Sequence, residues 1–517
     1  MKSLSPTVRA RLGRLWPALL VGAAALLLYA GTAAPGLTWA HDGADGGDLI
    51  TAVATWGVPH PSGYPAYVLF GRLFALLPLG SMARRMNLFS ATAAAASVVL
   101  VYLTAAWALE RSGDRRTWRE VLWAAGAALA YTCGPTLWSQ AVIAEVYAFA
   151  ALSFALCLYL ALRAGARLSG ESGGERLWGM LGLALGVGLG GHLTLLLALP
   201  GLALLLWPGR TWRRLGAMAA GLALGLGVYL YLPLAAARGP VLNWGDPSRW
   251  RGFWWLVSGR FYHGYAFGLP LRYLPQRVVA WATLWGREFA WVGLPVAALG
   301  LWSWWEGGLR RLAVATSITV ALYSAYAITY DTTDSYVYLI PALAVTAIWL
   351  AEGLRALAAG FLADGAATCG WLLVAVVLAV GLPAWSLASN YRALELRNDR
   401  EAVVWVDAAL AELPSGALLI TGQDGHTFAL DYACWVDRRC ADVLVVDGDL
   451  LEQDWYRAQL ARRYPALDVS SGSISLADWV AGQLTERRVF LGSARRDLEE
   501  RYAASARGVL WELVARK

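Results

Sequence analysis

The chain has 517 residues, of which 58% are hydrophobic and only 15% charged, where an ordinary soluble protein carries about 25% charged residues. With a mean hydropathy of +0.48 and 28 tryptophans, it cannot be a purely soluble enzyme and reads as a polytopic membrane protein with soluble mass attached. The net charge of +7 is modest, and no basic run with interleaved aromatics stands clear of the apolar segments, which sets nucleic-acid binding aside.

The N-terminus carries Lys2, Arg9, Arg11 and Arg14 ahead of an apolar run from Leu15 to about Gly31. That run exceeds the roughly 7–15 apolar residues of a signal-peptide core, so it reads as a retained first helix with its basic end in the cytoplasm. The following stretch, Trp39–Tyr67, is then expected on the outer face. It gathers Asp42, Asp45, Asp48, His41 and His60 among glycines and prolines. Within it, Gly47–Trp56 predicts a short amphipathic helix ended by Gly57, with Pro59 barring its continuation. Asp45 stands where an N-cap belongs and Asp48 in the first turn, so capping accounts for either one alone. As a set, three carboxylates spaced by three at a membrane boundary repel one another and raise each other's proton affinity. Such a cluster is a candidate general base.

Leu69–Leu79 is short and contains Arg72, which predicts an outer-leaflet helix. Asn87–Leu109 then crosses back to a basic loop with Arg111, Arg115, Arg116 and Arg119. A spanning Leu69–Leu79 would put those arginines outside, against the positive-inside rule. Val121–Leu137 and Ala141–Leu162 follow, then Arg163, Arg167 and Arg176. The runs 177–191 and 193–207 flank His192, and Leu215–Pro233 leads into a long outer loop, 235–277. Phe289–Trp305, Arg311–Thr329, Tyr336–Leu354 and Cys369–Leu387 complete eleven expected spans, within a transmembrane region 1–388 whose first outer loop is 36–86.

Glu145 opens a span, and an ionisable group there is a functional hypothesis by default, with a bridge to a nearby Arg or Tyr as the alternative. His192 fits hydrogen-bonded packing as readily as a cavity wall. Asp331 and Asp334 share a short outer turn, where capping and a cavity role both fit. The loop 235–277 mixes Arg251, Arg260 and His263 with many aromatics. Guanidinium groups placed there suit a phosphate or an anionic headgroup, and an amphipathic surface helix is the alternative.

From about Ser389 the pattern becomes charged. Strands are expected at 417–421, 443–447 and 489–491 with helices between them, a small soluble α/β domain over 389–517. Cys434 and Cys440 either pair in an oxidising compartment or stay free. No Cys/His set has zinc-site spacing.

The run DGGDLITAVATWGVPHPSGYPAYVLFGRLF resembles the signature of GT-C glycosyltransferases that use lipid-phosphate sugars, and in particular bacterial relatives of a eukaryotic transmembrane protein O-mannosyltransferase. The likeness extends through IAEVYAF, GGHLTLL, NWGDPSRW and TYDTTDSYVYLIPA into TGQDGHTFALDY. It implies a helical GT-C-like fold and a catalytic aspartate at Asp45. The family's Asp-Ser-Gly-Glu is here Asp45-Gly46-Gly47-Asp48, and its His-Pro-Pro-Gly-Tyr-Pro becomes His60 to Pro65 with Ser62 in place of a proline. Related aminoarabinose transferases carry a phosphate-binding lysine where His60 falls, which implies a donor-phosphate role for His60.

The expected chemistry is an inverting sugar transfer from a polyprenyl phosphate to a hydroxyl acceptor, protein Ser/Thr or glycolipid, on the outer face of the inner membrane. Phosphate leaves as a stable anion, so the acid carboxylate of glycosidases is dispensable. Asp45 and Asp48 are the expected catalytic carboxylates. His60, Arg260, His263 and Arg251 would hold the donor phosphate, and Asp42, Tyr64, Glu145 and His192 would line the cavity. No metal ligands are assigned, although a divalent ion beside the aspartates is compatible with the pattern. A multi-span transporter or lipid flippase is the alternative.

Overall fold

A computed structural model describes residues 6–113, 118–166, 173–360, 368–440, 442–469 and 475–516. Lys2, Arg115, Arg116 and Arg167, which entered the charge argument, lie outside the described residues. Seven helices are long and apolar enough to cross a membrane: Leu15–Thr32, Met82–Arg111, Tyr147–Gly165, Trp212–Ala236, Arg310–Thr329, Ser335–Ala358 and Cys369–Leu394. The other four of the eleven expected segments are shorter helices, Trp118–Cys133, Gly174–Leu189, Leu193–Gly209 and Gly293–Glu306. The expected 121–137 segment breaks at Gly134 because Pro135 starts a new helix, Pro135–Ala141. Pro65–Ala75 has 11 residues, too few for the roughly 20 a span needs.

Ser335–Ala358 is buried on all sides and forms the axis of the bundle. Around it, small residues let backbones approach. A Cβ at Gly182 would meet the Met218 carbonyl oxygen at 2.0 Å, so Gly174–Leu189 and Trp212–Leu226 pack through glycine.

Helix Thr368–Leu394 runs on past position 388, so the change to a charged composition falls within a helix. Beyond it lie five strands, β1 (Leu418–Thr421), β2 (Leu444–Asp447), β3 (Val489–Leu491), β4 (Tyr502–Arg507) and β5 (Leu510–Ala515), in the order β2-β1-β3-β5-β4. The first three are parallel, with Leu419 paired to Val445 and Phe490, and the last two close the sheet as an antiparallel hairpin. That hairpin was not expected, because YAASAR offers no apolar alternation to read. Cys434 and Cys440 are disulfide-bonded at the end of helix Asp424–Trp435.

The sheet is pressed onto the outer loops of the bundle. Trp39 Nε1 donates to the Gly425 carbonyl at 3.0 Å, and Trp455 packs against Trp244 with ring centroids 5.2 Å apart. Gln459 and Arg463 both reach the Val241 carbonyl.

Candidate active site

The turn Ala40–Asp45 leads directly into helix Gly46–Thr55. Asp45 takes the N-cap position, yet its side chain makes no capping bond. Capping therefore explains neither carboxylate. Asp48 is wholly buried, and a carboxylate without water must be satisfied by protein donors. Trp244 Nε1 donates to its Oδ1 at 3.0 Å, while the His60 backbone N–H at 3.0 Å and ring Nδ1 at 2.7 Å meet Oδ2. The other ring nitrogen, Nε2, lies 3.3 Å from Asp45 Oδ2. The order is thus Trp244, Asp48, His60, Asp45, and only the last opens outward, its side chain 36% exposed.

Burial alone would pull the His60 pKa down, but Asp45 and Asp48 on either side raise it to about 9. His60 is thus an imidazolium at neutral pH, hydrogen-bonded to Asp48 and ion-paired with Asp45. Burial raises the Asp45 pKa; His60 opposes that rise, and Asp48 and Asp334 add to it. Glu145 is also buried, and burial, with Asp45 next, pushes its carboxyl well above the usual range. Its Oε1 has no hydrogen-bond partner among the described residues.

The backbone around these groups is held in costly conformations. His41, Asp42 and Tyr64 have φ of 58°, 61° and 36°, a region costing on the order of 1 kcal/mol for a residue with a Cβ. Side-chain bonds hold them there: Tyr336 donates its hydroxyl to Asp42 at 2.9 Å, and Tyr64 to the Pro61 carbonyl at 3.1 Å.

One cavity adjoins this loop, and a second is lined by Tyr336, which bonds Asp42. The first, of about 270 Å³, opens beside Pro61, Ser62 and Tyr64 and is walled by His192, Tyr262, Tyr326, Tyr330 and Tyr338. His192 accepts the Thr194 N–H on Nδ1, stacks on Tyr64 at 6.0 Å, and is kept neutral by burial, which lowers its pKa to about 4. The other cavity, of about 230 Å³, lies between helices Leu274–Glu288 and Arg310–Thr329. It is apolar along Ala280, Trp281, Leu284 and Ile328 and carries Arg277 in its wall. Arg277 donates to Ser335 Oγ and to the Thr332 carbonyl, both at 2.8 Å, and three of its five N–H groups remain. Ser335 and Tyr336 face this second cavity and Tyr338 the first, so the short turn Ser335–Leu339 divides them.

Asp42, Asp45, Asp48, His60 and Tyr64 come together as one constellation. Electrostatic coupling joins Glu145 to it, and stacking on Tyr64 joins His192. The expected phosphate ligands do not converge in the same way. Both nitrogens of His60 are engaged by aspartates, leaving none for phosphate. Arg251 and Arg260 are exposed and line neither cavity; the amphipathic helix Trp250–Val257 buries Leu256 and turns Arg251 and Trp254 outward, and Arg260 opens the separate turn that follows. His263 does line the tyrosine cavity, with Nε2 on the Ser258 carbonyl at 3.0 Å. Arg277 and Trp244 were not assigned roles from the sequence, and for Asp334 a cavity role stood beside capping. Trp244 inside NWGDPSRW and Asp334 inside TYDTTDSYVYLIPA carried hints. Among the described residues, no three His, Cys, Asp or Glu side chains converge as metal ligands.

Residues 45–230 match the family described as the protein O-mannosyl-transferase TMEM260 N-terminal domain. The chain is 22% identical to the protein O-mannosyl-transferase TMEM260 of Mus musculus over 463 residues, 82% of this chain and 62% of that protein's length. Among solved structures it is similar to ArnT from Cupriavidus metallidurans bound to undecaprenyl phosphate. The TM-score is 0.58 at 14% identity, over 99% of this chain and 98% of that one. The apo state of the same protein gives a TM-score of 0.51 at 15% identity, over the same shares of the two chains. Neither the sequence match nor the fold likeness is to a transporter.

Proposed function

Taking as premise that this chain has the GT-C fold and is related to the O-mannosyl-transferase family, we propose that it moves a sugar from a polyprenyl-phosphate donor to a hydroxyl acceptor, with a protein Ser or Thr as the favoured acceptor. The observation that carries this reading is the half-open carboxylate of Asp45, aimed by an imidazolium that Asp48 anchors from behind. In a single inverting step Asp45 accepts the proton of the acceptor hydroxyl. The freed oxygen forms a bond to the anomeric carbon, and the bond from that carbon to the phosphate oxygen breaks, its electron pair leaving on the phosphate. The fixed donors and charges around Asp45 need no rearrangement as the reaction proceeds.

In this reading the polyprenyl tail follows the apolar groove past Trp281 and Leu284 while its phosphate meets Arg277, and the sugar occupies the tyrosine cavity, whose aromatic walls suit the apolar faces of a pyranose. The relative named as bound to undecaprenyl phosphate supports a lipid-phosphate donor. The positive-inside pattern and the Cys434–Cys440 disulfide support an outward-facing C-terminal part in an oxidising compartment, with the chain in the inner membrane.

The test is transfer of radiolabelled mannose from its polyprenyl phosphate to a Ser/Thr-rich peptide by purified protein in nanodiscs. Asp45→Asn should lower turnover by roughly 100-fold or more, the range of a lost general base, with undecaprenyl phosphate binding unchanged. Full activity of that variant would end the assignment.

A further inference from the structure

The C-terminal part reaches the catalytic constellation at two places, Trp455 against Trp244 and one face of helix Asp424–Trp435 against His60. In Asp424–Trp435, residues 424, 428 and 431 lie at i, i+4 and i+7 and share that face. Phe428 is buried, and its ring is nearly parallel to the His60 ring, 13° between planes and 6.1 Å between centroids, a separation that suits an offset stack. The same ring meets Trp244 edge-on at 6.2 Å, and Trp244 is the residue that donates to Asp48. Phe428 therefore touches two of the four members of the chain that ends at Asp45.

The His60 imidazole is fixed in its plane by Asp45 and Asp48, with Tyr64 and Trp244 edge-on at 5.1 and 6.3 Å. One hydrogen bond, to Asp48, and the ion pair with Asp45 define an axis through the ring but do not fix its tilt about that axis. A parallel ring packed on the face removes this freedom, and Phe428 is the residue that provides it. The helix is held at contact distance by Gly47. A Cβ there would fall 2.2 Å from the Phe428 carbonyl oxygen, a main-chain atom that cannot swing aside. The glycine of the Asp-Gly-Gly-Asp motif is thus explained by the C-terminal part of the same chain.

We propose that helix Asp424–Trp435 is built into the catalytic centre and that Phe428 is a positioning residue, holding His60 in register with Asp45. This rests on the reading of Asp45 and His60 given above. The C-terminal part is then a component of the active site, and the face of His60 away from the membrane region is closed by it.

The experiment compares Phe428→Ala, Phe428→Leu and Phe428→Tyr with the unmodified full chain in nanodiscs. It uses the same mannose-transfer assay, with undecaprenyl phosphate binding and thermal unfolding measured on each. A displaced catalytic group costs up to about 100-fold in rate. Phe428→Ala is expected to lose roughly 10- to 100-fold in kcat, with lipid affinity within about two-fold, the pattern of lost positioning. Phe428→Leu should recover thermal stability without recovering kcat, because it fills the space but has no ring face, and Phe428→Tyr should recover both. If Phe428→Ala unfolds, the Leu and Tyr pair decides. Equal kcat for Leu and Tyr overturns the proposal, as does a folded Phe428→Ala with kcat within two-fold of the parent. Loss of activity in Asp45→Asn alongside an unaffected Phe428→Ala would sink this inference and leave the transferase reading intact. An active Asp45→Asn would sink that reading.

Discussion

His60 Nδ1 lies 2.7 Å from Asp48 Oδ2, and the same oxygen accepts the His60 backbone N–H at 3.0 Å. One buried carboxylate oxygen therefore fixes both where the histidine sits in the chain and which way its ring points. With Trp244 on Oδ1 and the side chain wholly buried, Asp48 is closed to a substrate. The two aspartates of the motif are chemically alike and separated only by environment. In the proposed transfer Asp48 holds the architecture and Asp45 reacts.

That division predicts unequal stability effects. Removing the Asp48 charge leaves a buried imidazolium short of a partner, a loss of about 3 kcal/mol or more for a broken buried pair. Asp48→Asn should unfold markedly earlier on heating and lose transfer activity with it. Asp45 is the reverse case. Its folded pKa is raised, so the native state binds more protons than the unfolded one, and stability falls as pH rises from the unfolded value through the folded one. At neutral pH its own charge costs stability while it also supports the His60 imidazolium, so Asp45→Asn should melt close to the parent temperature, well above Asp48→Asn, while losing turnover. Equal destabilisation by both substitutions would contradict the division. The check is thermal unfolding of the two variants side by side.

The pH dependence of turnover follows from the same pair. The base form of Asp45 must be present, so kcat/KM should rise with pH through a value above the ordinary carboxylate range, because burial raises that group. At the alkaline end His60 loses its proton at about 9, and the charge that steadies the two aspartates goes with it. Activity should then fall through roughly that pH, giving a bell whose limbs belong to the coupled set. The stability sign is consistent. A histidine raised from 6.5 to about 9 contributes fully below 6.5, and that contribution is lost as pH climbs through 9. An alkaline limb near 6.5 would show that His60 is not held as an imidazolium.

Much of this was legible in the sequence. Membrane character and the three parallel strands follow from composition, charge placement and apolar periodicity, all of which are local. The capping alternative for Asp45 failed because its side chain makes no capping bond, which no pattern of residues could reveal. The outward position of Arg251 was not legible, since a loop's charge says nothing about which way its helix turns, and one buried leucine, Leu256, sets it. Trp244 and Phe428 were invisible as site residues. They reach His60 from 184 and 368 positions further along the chain, and aromatic residues carry no chemical signature until their neighbours are known.

The reassignment of the phosphate contact from the outward arginines to Arg277 gives the last test. Arg277 is pinned by Ser335 and the Thr332 carbonyl, so its remaining N–H groups are presented in a fixed direction at the wall of an apolar groove. Hydrogen bonds to a charged group contribute about 1.5–3 kcal/mol each, so Arg277→Ala should weaken undecaprenyl phosphate binding by roughly 10- to 100-fold. Arg277→Lys should recover little, since a lysine cannot both keep the two anchoring contacts and offer a planar pair of donors. Arg260→Ala removes an exposed guanidinium that lines neither cavity, and binding should stay within about two-fold. Binding of undecaprenyl phosphate to the three purified variants in nanodiscs, at fixed ionic strength, measures all of this. The reverse ranking, with Arg260→Ala the weaker binder, would return the phosphate to the outer loop and move the donor out of the groove beside Tyr336.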